Sequence, residues 1–190
     1  LATLIMLVAV TLRVTALGHI PPGLHYDEAA NGVLVQGIAY KGAHPIFISA
    51  YTGKETLWFY LAALVMRIIG PVILSLRLTS ALIGTLTIAA TGWMVGQIYR
   101  RDERRDWLSL LSMAVLAVAF WHVVLSRLAF RAVSQPLLQA FSLGLLWHAL
   151  HMPAPRRGRR RLWFALAGVI TGLTAYTYLA ARLFPIPLGI

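Results

Sequence analysis

The sequence predicts an all-α fold: a polytopic bundle of transmembrane helices, with amphipathic juxtamembrane helices in its first outer loop. Three observations predict it. Hydrophobic residues make up 59% of the 190 and charged residues only 12%, against about 45–50% and about 25% in soluble domains. Several apolar runs pass the roughly 18 residues at which a run reads as a membrane span. Nine of the 17 Lys+Arg lie in two short loops, "YRRDERRD" and "PAPRRGRRR", and short basic loops of this kind stay on the cytoplasmic side.

The elements follow in chain order. The first span covers about residues 1–18, with Arg13 inside it. No cleavable signal peptide is evident, because "LATLIMLVAV" runs into Thr11-Leu12-Arg13 without a small-residue cleavage site. The start without Met and the stop inside apolar sequence make a longer parent protein the expectation. Pro21-Pro22-Gly23 stops the first helix, and Asp27 is placed to N-cap a second one. Ala30, Val33, Leu34, Gly37 and Ile38 recur at helical spacing on one face, and "YKGAHP" ends that helix. Leu57 to Gly70 is apolar but short, and contains Arg67. As a span it would put "YRRDERRD" outside, so it is expected to lie in the outer interface, with a full span over Leu57–Leu76 that buries Arg67 as the alternative. Further spans follow at about 78–98, 107–125, 132–152 and 162–181. Two spans separate the basic loops, so the Ser126–Val133 turn and the whole loop 19–77 belong outside.

Eight basic residues then break the positive-inside pattern: Arg13, Lys41, Lys54, Arg67, Arg77, Arg127, Arg131 and Arg182. Charges at the membrane edge are expensive and mark substrate paths. Arginine forks bind phosphate, so the expected ligand is an anion that arrives in the membrane, a lipid phosphate. For Arg13, Arg67 and Arg77 snorkelling to head groups is the simpler expectation. Arg127 and Arg131 stand four residues apart without an acidic partner in their turn, and Arg182 closes the last span. The inner loops need only topology and anionic lipid, and nothing points to nucleic acid.

Of six acidic residues, Asp102, Glu103 and Asp106 sit among arginines inside. Asp27, Glu28 and Glu55 lie outside. Neighbouring helical side chains diverge by about 100°, so Asp27 and Glu28 are not expected to point into one site. One would face the chemistry while the other orients or caps. Cysteine is absent, and the spacing of His25 and His44 resembles no metal site. No metal and no cofactor are expected.

Taken in order, Asp27-Glu28, "GKETLWFYLAALVMRIIG" from Gly53 and "RLTSALIG" from Arg77 to Gly84 resemble the GT-C membrane glycosyltransferases. The protein O-mannosyltransferase and aminoarabinose transferase group (glycosyltransferase family 39 and its relatives) is the nearest branch. Many relatives carry a second Asp after an "S-R-x-x-R-P" element; here "SRLAFRAVSQP" has none. The resemblance implies an integral protein of the cell membrane that inverts configuration on its extracytoplasmic side. It would move a sugar from a polyprenyl-phosphate donor to a hydroxyl of a protein or lipid acceptor. Asp27 is then the catalytic base with Glu28 in support. Lys54, Arg127, Arg131 and Arg182 are candidate phosphate ligands, Glu55 orients groups in the site, and Tyr26 stacks on sugar. Inverting hydrolases need a second carboxyl group to protonate the leaving oxygen; a phosphate leaves as a stable anion, so cations replace that acid. Two alternatives are a flippase for a lipid-linked sugar, which would be expected to carry charged or broken helices at mid-membrane, and a non-catalytic envelope scaffold.

Overall fold

A computed structural model describes residues 1–51, 53–153 and 157–188 of the chain. It is all-α apart from one two-residue hairpin. The elements are α1 (Ala2–Val14), α2 (Tyr26–Tyr40), β1 (Phe47–Ile48), β2 (Lys54–Glu55), α3 (Leu57–Ile69), α4 (Ile73–Ile98), α5 (Arg105–Val118), α6 (Phe120–Arg127), α7 (Ser134–Leu150), α8 (Arg157–Thr174) and α9 (Pro185–Leu188). Short 3-10 turns at Arg131–Val133 and Leu179–Leu183 precede α7 and α9.

Helix α4 is the axis of the molecule, about 39 Å long at 1.5 Å per residue. It touches α1, α2, α3, α5, α6 and α7, and α8 packs on α7. Small residues set these approaches. A methyl group on Gly84 would overlap Ser126, and one on Gly144 of α7 would overlap the Trp93 ring of α4. The main core lies under α2 and α3, where Val35, Ile38, Trp58, Phe59, Ala62 and Met66 are buried with Leu76 and Ile83 of α4. Trp58 donates its indole N–H to Ser80 Oγ at 3.1 Å, which satisfies the one polar atom of that side chain.

Boundaries depart from the sequence expectation in informative ways. Helix α4 begins at Ile73 rather than near residue 78, and so takes Arg77 into its buried face. The expected span 107–125 is broken at Ala119 into α5 and α6, which meet at 59°. No proline or glycine marks the break; the Arg13 guanidinium enters there and takes the freed carbonyls of Ala117 (3.0 Å) and Leu116 (3.3 Å). Helix α8 starts at Arg157 and ends at Thr174, earlier than the expected 162–181. In α2 the buried stripe is Ala30, Asn31, Val35, Ile38 and Ala39, while Val33, assigned to that face from spacing, is exposed. Helix α3 ends as expected at Gly70, whose φ of 103° suits a residue without a side chain. Among the described residues, α4 alone is long and apolar enough to cross a membrane by itself, and α5–α6 passes if the bent pair counts as one segment. Helices α1 and α3 are apolar but shorter.

Arginines close the exposed helix ends. Arg67 donates to Ala39 O (2.9 Å) and Ile38 O (3.4 Å) at the end of α2. Arg127 donates to Leu12 O (2.8 Å), Thr15 O (2.9 Å) and Ile20 O (2.9 Å) around the end of α1. Arg77 reaches Leu17 O, Pro21 O and Gly23 O in the turn that follows. Terminal carbonyls lack helical partners and carry the negative end of the helix dipole, so a cation satisfies both needs.

Candidate functional site

The site grows from two adjacent pieces of chain, the first turn of α2 and the hairpin β1–β2. Helix α2 is capped by His25, not by Asp27 as the sequence suggested. His25 Nδ1 accepts the Asp27 N–H at 3.2 Å, and Glu28 Oε2 accepts the His25 N–H at 3.2 Å. This reciprocal capping box leaves the Asp27 side chain out of the helix start.

The neighbouring carboxylates separate as their helical offset requires. Glu28 is wholly buried. Its Oε1 accepts Arg77 Nε–H (2.9 Å) and the Ala129 N–H (3.1 Å), and its Oε2 accepts Arg77 Nη2–H (2.9 Å) as well as the His25 N–H. Burial alone would push the Glu28 carboxyl up, but the Arg77 guanidinium and the His25 and Ala129 amides together hold it below the usual range. Glu28 therefore ties α2 to α4 and to the turn before α7. Asp27 faces the other way, with a side chain 42% exposed; its Oδ2 lies 3.8 Å from His25 Nδ1, which accepts the Asp27 N–H and so forms no ion pair with it.

Asp27 opens onto a cavity of about 340 Å³ whose walls include Asn31, Lys54, Phe130, Arg131 and Tyr178. The hairpin pairs Phe47 with Glu55 and Ile48 with Lys54, and Gly53 at φ 89° turns it where a methyl group would strike the Phe47 ring. Lys54 Nζ donates to Asn31 Oδ1 at 2.8 Å, and Asn31 Nδ2 donates to Ala129 O at 2.9 Å. Burial and the nearby Arg131 charge push the Lys54 ammonium down, and Asp27 pulls it back up. Arg131 stands over the Tyr178 ring (5.2 Å to its centre) and pairs with Glu55 at 3.3 Å; Arg182 pairs with the other Glu55 oxygen, also at 3.3 Å.

The predicted residues thus divide. Asp27, Lys54 and Arg131 line one cavity, and Glu55 and Arg182 adjoin it. Glu28 and Arg127 are not brought in: the first is held by Arg77 and the second by the carbonyls around the end of α1. Tyr26 is 72% exposed and does not line the cavity. Sequence reasoning missed Asn31, Phe130 and Tyr178 as cavity residues. Asn31 stands four residues after Asp27 among small apolar residues, a helical offset that marks the same face; Phe130 carried no signal. Among the described residues no group of three His, Cys, Asp or Glu is arranged to hold a metal ion.

Chemically, the cavity offers one half-exposed carboxylate to accept a proton, an ammonium and a guanidinium for an anion, and the rings of Phe130 and Tyr178. Compared with family models, curated proteins and solved structures, the chain matches none of them.

Proposed function

We propose that this chain carries the catalytic part of an integral membrane glycosyltransferase, which inverts configuration as it moves a sugar from a polyprenyl-phosphate donor to an acceptor hydroxyl. One observation carries the reading: Asp27 shares a cavity with Lys54 and Arg131, while the carboxylate beside it is fully committed to the scaffold. The acceptor oxygen attacks the anomeric carbon, the bond from that carbon to the phosphate oxygen breaks, and its electron pair leaves with the phosphate. Asp27 takes the acceptor's proton, and Lys54 and Arg131 stabilise the departing anion. Positioned base catalysis supplies typically about 10²–10⁴-fold, and fixed cations at the developing charge supply the rest. The acceptor is a protein or lipid hydroxyl.

Placement in a membrane, with the cavity on the outer side, agrees with the surface. Leu4, Leu7, Leu64, Ile68, Val115, Phe120 and Trp121 are all exposed large apolar side chains, more than a water-facing surface ordinarily carries. Helix α3 is apolar on its outward face also, as suits an interfacial helix. The basic segments around residues 100–105 and 157–161 then face inward.

The test is sugar transfer in vesicles by wild type and Asp27→Asn. Retained transfer would remove Asp27 as base, since an amide keeps the shape and cannot take the proton. Cysteines placed near Gly53 and near Glu103 should label from opposite sides. A second reading, passage of a lipid-linked sugar, has one observation in its favour. Arg13 is buried at the α5–α6 break with Nη2 2.8 Å from His122 Nδ1, and charged breaks in apolar helices mark transport sites. Flipping without transfer in the vesicle assay would select it.

A further inference from the structure

The Glu55 carboxylate is 4% exposed, yet both its oxygens are held by arginines at 3.3 Å. Charge-assisted bonds normally measure about 2.7–2.9 Å, so both bonds to the shared carboxylate are long. The two arginines also sit differently. Arg131 is 18% exposed and faces the Asp27 cavity, with Tyr178 against its guanidinium. Arg182 is 51% exposed and lines a second cavity of about 340 Å³ with Phe47, Tyr176 and Glu55. Lys54 and Glu55 are consecutive in β2, and successive strand residues point to opposite faces. The strand is thus a partition: Lys54 lines one cavity and Glu55 the other, and Arg131 reaches across to it.

We propose that Glu55 and Arg182 are positioning residues that set the charge of the phosphate site. When a phosphate enters beside Lys54, it takes Arg131 from Glu55, and Arg182 keeps Glu55 neutralised. Resting on the donor site proposed above, this assigns a further duty to the pair. Lys54, Arg131 and Arg182 against Asp27 and Glu55 leave one net positive charge. That matches the single charge of a sugar phosphodiester. After transfer, once Asp27 has passed the acceptor's proton to water and is an anion again, the lipid phosphate is a monoester, which carries about −1.5 to −2 at pH 7. Glu55 opposes that second charge by reclaiming Arg131, and so favours product release over product retention.

The experiment measures binding of two probes to the purified chain in detergent micelles: a short prenyl monophosphate, and its methyl ester as the singly charged diester. Glu55→Gln is expected to tighten the monophosphate about tenfold, equal to about 1.4 kcal/mol, with a smaller gain for the diester. Arg182→Gln, at a half-exposed position, leaves Glu55 with Arg131 alone and is expected to weaken both probes. A purely structural pair would weaken binding in both variants, and that result, or no change in either, overturns the proposal. If Glu55→Gln does not fold, the ratio in Arg182→Gln decides: a larger loss for the monophosphate than for the diester supports the proposal, and an equal loss for both overturns it. Wild type that binds neither probe would instead remove the donor site itself.

Discussion

Replacing Glu28 with Gln removes one charge from a carboxylate that accepts four hydrogen bonds in a fully buried setting. All four donors are N–H groups, two on Arg77 and two on backbone amides. The glutamine amide keeps one acceptor oxygen and adds a nitrogen donor, so on one side of the group donor faces donor. Arg77, itself 1% exposed, is left as a buried guanidinium without its counter-charge. Breaking one partner of such a pair costs about 3–5 kcal/mol. At about 2–4 °C per kcal/mol for a chain of this length, the midpoint of thermal unfolding should fall by about 6–20 °C. Tryptophan fluorescence in detergent micelles would read it. Arg77→Gln should show a loss of similar size, and the double variant less than their sum, because the two share one interaction. Asp27→Asn supplies the contrast, with a half-exposed side chain and a shift within the roughly ±0.5 kcal/mol of ordinary surface changes. If Glu28→Gln melted like wild type while transfer disappeared, Glu28 would be a reacting group, and the division of labour between the two acids would be refuted.

Other outcomes follow from the same geometry. Asp27→Asn should lower the rate of sugar transfer by about 10²–10⁴ with the melting midpoint unchanged. Acid should destabilise the fold through Glu28: its folded pKa lies below the ordinary value, so its contribution is complete above the unfolded pKa of about 4.3 and is lost as pH falls through the folded one. Melts from pH 7 down to pH 3 would show this drop, and Glu28→Gln should flatten it. Gly144→Ala should cost about 1–3 kcal/mol by driving a methyl group into Trp93, read as a lower midpoint. Arg67→Ala should speed hydrogen exchange at the last turn of α2, where it now holds the carbonyls of Ile38 and Ala39, and leave α4 protected.

The helices and the separation of Asp27 from Glu28 were legible because both rest on local rules. Apolar run length set the helices, and the 100° step between neighbours set the two acids apart. What was not legible is long-range. Composition could not tell that Arg77 would sit inside α4 opposite Glu28, 49 positions away in the chain, rather than snorkel. The break at Ala119 has no local signal either, because its cause, Arg13, lies more than 100 residues earlier. The N-cap assignment failed for a different reason. Asp27 is a stronger cap on average than histidine, but Glu28 gives His25 the reciprocal bond that a capping box needs.

The cations that the sequence places outside, against the positive-inside pattern, call for two explanations rather than one. Arg13, Arg67, Arg77 and Arg127 bind backbone carbonyls at helix ends and breaks. In an apolar setting those carbonyls lack water, so a long cationic side chain is the cheapest partner available. These residues would be needed whatever the protein does. Lys54, Arg131 and Arg182 are different: their nearest polar partners are side chains, Asn31 and Glu55, with one longer bond from Arg131 to Gly53 O at 3.5 Å, and Lys54 and Arg131 open onto the cavity that holds Asp27. A side-chain anion can be exchanged for a ligand anion without unravelling a helix end, whereas a backbone carbonyl cannot be released so easily. The proposed phosphate ligands are thus distinguished by what they would give up on binding: Arg131 one oxygen of the shared Glu55 and Lys54 the Asn31 oxygen, whereas Arg77, though paired with Glu28, also closes three backbone carbonyls.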